Sequence, residues 1–348
     1  MNKVFAALAF IGVPLVLIGS YFHWSDLWMF GLCCLSIIAL AAFIGRATES
    51  LAIVSGPRIG GLLNATFGNA VELIISIFTL KAGLIGIVLA SLTGSVLGNL
   101  LLVLGLSFFA GGLKHKRQNF SIYDARYNSA LLIFAVVVAF VIPEVFTMDM
   151  DPKTELNLSV GISVILILIY LAGLVFKLFT HRGVFGSDNH ETDEVPEWTK
   201  GRAILVLLLS TVAVAFVSEK LVHTFSTLGE KFGWTELFIG VIIVAIVGNA
   251  AEHTSAITMA MKNKMDVSVE IAIGSTLQVA MFVAPVLVLI SLMMPTAMPL
   301  VFTWPELIAM ITAVFLVVNI CQDGESNWFE GLTLFAAYLI MGIGFFLL

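Results

Sequence analysis

Gly68-Asn69-Ala70-Val71-Glu72 lies inside a stretch apolar enough to cross a bilayer, and Gly248-Asn249-Ala250-Ala251-Glu252 repeats it 180 residues later. A glutamate is costly to hold at membrane depth, so each marks a functional site by default. Working outward, Gly94-Ser95-Val96-Leu97 is answered at the same displacement by Gly274-Ser275-Thr276-Leu277. Aligned without a gap, residues 60–100 and 240–280 agree at 10 of 41 positions: Gly60, Ala65, Gly68, Asn69, Ala70, Glu72, Ile77, Gly94, Ser95 and Leu97. Chance agreement between two apolar segments would fall on leucine and isoleucine. Here it falls mostly on Gly, Asn, Glu and Ser, which predicts an internal duplication.

Composition sets the solvent in which these motifs operate. Of the 348 residues, 59% are hydrophobic and 11% charged, whereas a soluble domain keeps about a quarter of its residues charged. Apolar stretches of about 20 residues recur, each long enough to span about 30 Å of hydrocarbon. Runs such as Leu131–Val141 and Val160–Tyr170 lack the alternation of a transmembrane barrel strand. The expected fold is an all-α integral membrane protein.

Eleven spans are predicted, at about Val4–Phe22, Leu27–Ile44 (extending toward Ser55), Ile59–Leu80, Leu84–Ala110, Asn128–Phe146, Leu158–Phe179, Ala203–Val222, Leu237–Met261, Val267–Met293, Pro305–Ile320 and Trp328–Leu348. Adding 180 to the starts of the second through sixth spans lands on or near the seventh through eleventh. The predicted organisation is an extra N-terminal helix at 1–24, a five-helix repeat at 25–180, an acidic cytoplasmic linker at 181–201 and a second five-helix repeat at 202–348. The first span has only Lys3 before it and no convincing cleavage site after it, so it reads as an uncleaved helix.

Orientation follows from lysine and arginine. With the N-terminus cytoplasmic, only Lys81, Lys153, Lys220 and Lys231 of the 17 basic residues fall outside. The C-terminus is then outside, and the expected location is the cell membrane, with multiple passes. An odd number of spans separates the two motif helices, which therefore run in opposite directions. Inverted repeats of this kind bring matching sites together near the midplane. The net charge of −6 identifies no nucleic-acid partner, and oligomeric state is left open. Cys33, Cys34 and Cys321 sit within or at the end of apolar segments with no metal-type spacing, and read as small apolar fillers.

Asn69 and Glu72 are three residues apart, as are Asn249 and Glu252, so each pair shares a helix face. Facing one another, they supply two carboxylates and two amides. Ser95, Ser275, Asn99 and Gln278 stand on the neighbouring helices and can add oxygens, although the serines could equally be small packing residues. An oxygen inventory suits a hard cation such as Ca²⁺, and two carboxylates neutralise one divalent ion. Two facing carboxylates in a partly dehydrated cavity cannot both stay ionised cheaply, so protons should bind when the metal leaves. Competition between H⁺ and a divalent cation for the same oxygens is a minimal antiport mechanism. Glu72 and Glu252 are thus the expected metal ligands and the expected proton-coupling groups. No resident cofactor is expected; Ca²⁺ and H⁺ are cargo, and the bilayer is the surrounding partner.

The segments GNAVELIISIF and GNAAEHTSAI resemble the paired signature repeats of the cation/proton (Ca²⁺/H⁺) exchanger family, within the wider cation/Ca²⁺ exchanger superfamily. His253, following the second glutamate, and the acidic stretch between the halves belong to that resemblance, which extends over nearly the full length. It implies eleven helices with the repeat helices in a central bundle, and export of cytosolic Ca²⁺ driven by inward protons. It also implies ion binding by Glu72 and Glu252, with Asn69, Asn249, Ser95, Ser275 and Gln278 in coordination or gating. Where Gln278 stands, the first repeat has Gly98, with Asn99 alongside.

Other readings remain beside this one. An exchanger for another divalent cation or one coupled to Na⁺ is the nearest, though the GTSLP-type sequences of sodium/calcium exchangers are absent. A cation channel is the next, disfavoured because inverted repeats suit alternating access. An enzyme is not expected: there is no HExxH, and adjacent Glu252 and His253 cannot act as i, i+4 ligands. His253 points about 100° from Glu252 on a helix, toward packing or an outer role. Glu219 and Glu270 read as solvated span-end residues, and Glu306 as a carboxylate favoured at a helix N-terminus. Asp188, Glu191, Asp193, Glu194 and Glu197 read first as a solvated loop, with a Ca²⁺-sensing or ion-attracting strip as the alternative, and their spacing fits no EF-hand loop.

Overall fold

In hydrocarbon every backbone N–H and C=O must find its partner within the chain, and for segments this apolar a helix is the continuous solution. The computed structural model describes residues 3–181 and 195–348 and is helical nearly throughout. Asp188, Glu191, Asp193 and Glu194 lie outside the described residues. In chain order the helices are α1 (Lys3–Tyr21), α2 (Asp26–Ser55), α3 (Pro57–Phe67), α4 (Ala70–Lys81), α5 (Ile85–His115), α6 (Ile122–Thr147) and α7 (Pro152–Thr180). After the linker come α8 (Lys200–Phe232), α9 (Glu236–Gly248), α10 (Ala250–Met261), α11 (Met265–Ser291), α12 (Trp304–Ile320) and α13 (Trp328–Leu347). Among the described residues eight helices are long and apolar enough to cross a membrane, and α9 with α10 makes a ninth, bent by 62°. The twelfth helix reaches that length by running on through the 3-10 turn to Asp323, the apolar stretch Phe5–Tyr21 of α1 is shorter, and α3 and α4 are each too short to cross alone.

The predicted third and eighth spans are the two that break. Both break at their motif: Asn69 leaves helical geometry with φ −100° and ψ 22°, and Asn249 does so with φ −106° and ψ 13°. Interrupted backbone at membrane depth is tolerated only where protein or a cavity surrounds it. The helices that follow the motifs in sequence carry wide π-type turns at Gly98–Val103 and Val279–Val283, beginning just after Ser95 and Ser275. Such turns recur at functional sites.

Helix ends obey local chemistry. Asp151 caps α7 by accepting from the Lys153 and Thr154 amides at 3.1 and 3.2 Å. Glu306 sits in the first turn of α12 as expected and closes a capping box with Thr303. It is also buried, accepting a 3.1 Å hydrogen bond from Thr93 on α5. Glu270 differs from expectation: instead of lying free in solvent, it pairs with Lys177 at the end of α7. A second departure from an all-helical reading is a two-stranded antiparallel strap, β1 (Gln118–Asn119) against β2 (Glu325–Ser326), braced by Arg117 and Glu325 at 2.8 Å. Strands of two residues leave no periodic signal in a sequence.

Buried side chains form two clusters. One draws on α1, α2 and α8, reaching Val71, Ile75, Val244 and Val247 beside the motifs. The other draws on α5, α6, α11, α12 and α13. The broken helices stand at the seam. Without a hydrophobic force between helices in lipid, close packing has to hold such elements together. Gly94 is one place where it does: a Cβ there would lie 2.2 Å from the Val241 carbonyl oxygen. Gly94→Val should therefore drive α5 from α9 and lower the apparent Tm in detergent, by the roughly 1–3 kcal/mol of an overpacked core. Gly274→Val, where an added Cβ meets nothing within 4 Å, should shift Tm much less; equal shifts would refute this packing role.

Candidate functional site

The break at each motif starts a new helix, and each glutamate sits in its first turn, Glu72 in α4 and Glu252 in α10. First-turn amides lack intrahelical acceptors and carry the positive end of the helix dipole. The backbone thus offers partial positive charge to a carboxylate that hydrocarbon would otherwise expel. The two breaks also touch: a Cβ on Gly248 would lie 3.4 Å from the Glu72 Cβ. Glycine at 248 lets the second motif approach the first glutamate closely.

Polar side chains from both halves interlock around this contact. Ser95 Oγ donates to Glu72 Oε1 at 2.5 Å. Asn249 Nδ2 donates to Ser95 Oγ at 2.9 Å and to the Ala245 carbonyl at 3.0 Å. The corresponding pair is Ser275 and Asn69, with Ser275 Oγ donating to Asn69 Oδ1 at 3.2 Å. Asn99 Nδ2 donates to Ser275 Oγ at 3.0 Å, and Asn69 Nδ2 to Gln278 Oε1 at 2.6 Å. Each motif asparagine therefore bonds the serine of the opposite half. Of the eight residues singled out in the sequence, seven join these two hydrogen-bonded chains, and the eighth, Glu252, lines a cavity together with Gly248.

The arrangement leaves acceptors over. Glu72 Oε2, Asn99 Oδ1 and Asn249 Oδ1 are buried without a hydrogen-bond partner. A buried acceptor left unsatisfied costs roughly 1–3 kcal/mol, which a bound cation would offset. Carboxylate and amide oxygens of this kind are the ligands a hard divalent ion takes. Among the described residues no three His, Cys, Asp or Glu side chains cluster as a metal site, so neutral amide and hydroxyl oxygens have to complete the shell.

The two glutamates are not equivalent. Glu72 is fully buried, whereas Glu252 is half-buried and lines a cavity of about 50 Å³. Its walls include Ala41, Gly45 and Thr48 of α2, and Asn64 and Phe67 of α3. Sequence reasoning missed Thr48 and Asn64, because neither is duplicated; the available signal was a polar residue three positions after a glycine in an apolar helix. The imperfect symmetry at Gly98 and Gln278 has a structural counterpart. A Cβ on Gly98 would lie 3.8 Å from the His253 ring, so His253 fills the space a Gln there would take. Its Nε2 is buried without a partner. His253 thus packs against α5 at Gly98.

Two helices that break at paired acidic motifs and meet there, inside a bundle of membrane-length helices, fit the class of membrane ion exchangers. The chain belongs to the sodium/calcium exchanger protein family, whose profile matches residues 25–179 and 202–347. It is 67% identical over 351 residues, covering 100% of both chains, to the protein of Bacillus subtilis (strain 168) named Ca(2+)/H(+) antiporter ChaA. The solved structure of native YfkE superposes with a TM-score of 0.88 at 63% identity, covering 99% of this chain and 100% of that one. The crystal structure of the H+/Ca2+ exchanger CAX, at 16% identity, covers 99% of this chain and 91% of that one with a TM-score of 0.73, a likeness of fold alone.

Ser95→Ala removes the donor to Glu72 and the acceptor of Asn249 at once. We expect this variant to bind Ca²⁺ roughly fivefold to a hundredfold more weakly, the roughly 1–3 kcal/mol of a buried polar group left unpaired. Calorimetric titration of the purified protein checks it. Unchanged affinity would reduce Ser95 to packing.

Proposed function

We propose that the protein is a secondary active antiporter that exports cytosolic Ca²⁺ in exchange for H⁺ by alternating access at the Glu72/Glu252 site. The observation that carries this reading is that Glu72 Oε2 and Asn249 Oδ1 on the two motifs, and Oδ1 of Asn99, which bonds Ser275, are all buried without a hydrogen-bond partner. Ca²⁺ gathers these oxygens with Glu252 and neutralises both carboxylates. On its departure the same carboxylates take up protons, because two bare charges in a dehydrated cavity repel each other and lose hydration. The Asn249–Ser95–Glu72 and Asn99–Ser275–Asn69–Gln278 chains hold the ligands in place through both states. The B. subtilis relative, whose name pairs Ca²⁺ with H⁺, supports proton rather than Na⁺ coupling.

The finer architecture under this proposal is eleven membrane helices, an extra one followed by two inverted five-helix repeats. In it α1 is a full span, and α3 with α4 forms the broken partner of α9 with α10. The reciprocal Asn249–Ser95 and Ser275–Asn69 bonds support that inversion. The N-terminus and residues 181–201 are cytoplasmic, and the C-terminus is outside. Single cysteines at positions 116 and 151 should accept impermeant thiol reagent from opposite sides of the membrane, with 116 cytoplasmic. Labelling of both from one side would end the inverted-repeat arrangement.

Glu72→Gln and Glu252→Gln keep size but remove the charge and the titratable proton, and a buried neutral amide is cheaper than a carboxylate. Either variant should fold yet lose ΔpH-driven Ca²⁺ exchange in proteoliposomes. Wild-type Ca²⁺ affinity should weaken as pH falls, since protons occupy the same oxygens. Near-normal exchange in either variant, or Ca²⁺ affinity independent of pH, would contradict the shared site.

A further inference from the structure

We propose that Thr48 and Asn64 form an outer subsite that holds a partly hydrated divalent cation on its path between the linker-side solution and Glu252. The inference rests on the antiporter reading and adds a residue pair lying outside the two motifs.

Thr48 is the first ground. It is only 4% exposed, yet its hydroxyl has no hydrogen-bond partner. A threonine inside a helix ordinarily returns its hydroxyl to the carbonyl four residues back. Thr66, Thr79, Thr211 and Thr276 all do so here, at 2.7–3.0 Å. Thr48 instead lines the cavity that Glu252 also lines. Asn64 lines the facing wall from α3, one turn before the Gly68 break. Thr48, Asn64 and Glu252 thus line a single cavity.

Dimensions and chemistry suit a cation shedding its water. A cavity of about 50 Å³ holds several waters, given that roughly 10–15 Å³ of such space accommodates one. Ca²⁺ accepts hydroxyl, amide and water oxygens in flexible geometry. Two neutral oxygens bind it weakly enough to release it, as conduction through successive sites requires. The cavity lies at the linker end of the bundle. Trp198 stacks on Phe43 of α2 with ring centroids 6.2 Å apart, and Glu197 lies 3.5 Å from Arg46.

The duplication supplies the decisive contrast. Displaced by 180, Ala41, Gly45, Thr48 and Asn64 become Leu221, Phe225, Leu228 and Val244. All four counterparts are buried and apolar. The repeat therefore accepts leucine where Thr48 stands, so helix packing does not demand the hydroxyl. A small, polar face exists on one side only, and the subsite it forms should act from that side only.

The test uses the full chain in everted and right-side-out membrane vesicles, with Ca²⁺ as the probe and a pH gradient as the drive. Thr48→Val keeps the shape and removes the hydroxyl. It should raise the Ca²⁺ KM from the linker side roughly threefold to tenfold, the scale of one lost polar ligand, with kcat within about twofold. The KM from the opposite side should not move, and Thr48→Ser should restore the linker-side value. Asn64→Leu, at an exposed position that tolerates change, should give the same sided effect and decides the matter if the valine variant fails to insert. An unchanged linker-side KM in these variants, or an equal rise from both sides, overturns the subsite. Wild-type protein that shows no pH-driven Ca²⁺ flux would instead overturn the antiporter reading beneath it.

Discussion

Everything in this molecule is arranged around keeping carboxylate oxygen inside a low-dielectric bundle. A lone carboxylate there would be prohibitively costly. Three features make Glu72 tolerable: the first-turn amides of α4, the Ser95 hydroxyl and the close approach of the second motif at Gly248. Each depends on a break in a helix that composition alone would carry straight through. The breaks in turn require enclosure, because free backbone groups cannot face lipid. The glutamates, the breaks and the central position of the motif helices are one constraint expressed three times.

The same constraint explains why the site is nearly symmetric without being fully so. Asn69 with Ser275 and Asn249 with Ser95 form matching bonds across the two halves. Beyond them the halves diverge. Glu72 is sealed, while Glu252 looks into a cavity. Gln278 closes on Asn69, whereas its counterpart Gly98 yields room to His253. The alternation proposed above would have the two motifs exchange environments, and in this structure they occupy different ones. Buried oxygens without partners belong to that state: their satisfaction depends on what ion is bound, so binding is coupled to the arrangement around it.

The packing around the site follows from where it must sit. One buried cluster gathers α1, α2 and α8, and the other gathers α5, α6, α11, α12 and α13. The motif helices lie between them and contribute side chains to both. Where the clusters must meet closely, a missing Cβ permits it, as at Gly94 against the Val241 carbonyl. The small strap of β1 and β2 and the Lys177–Glu270 pair connect the halves at their linker-side ends, away from the seam.

Much of this was legible in the residues. Apolar length fixed the solvent and the helical class, since hydrocarbon leaves backbone few alternatives. The repeated Gly-Asn-Ala-x-Glu and Gly-Ser signals single out Glu72, Glu252, Asn69, Asn249, Ser95 and Ser275 as candidates, because polar residues in apolar helices are conspicuous and duplication makes them doubly so. Gln278 and Asn99 were visible for the first of those reasons. Tertiary structure decided the rest. It set which serine bonds which asparagine, which glutamate reaches the cavity, and that His253 packs against Gly98. It alone brought Thr48 and Asn64 opposite each other, on helices joined by a tight turn at Gly56, whose φ of 83° no repeat pattern announces. Sequence periodicity reports what each helix must bury, whereas accessibility and pairing depend on how helices cross, and crossing is settled by contacts between residues far apart in the chain.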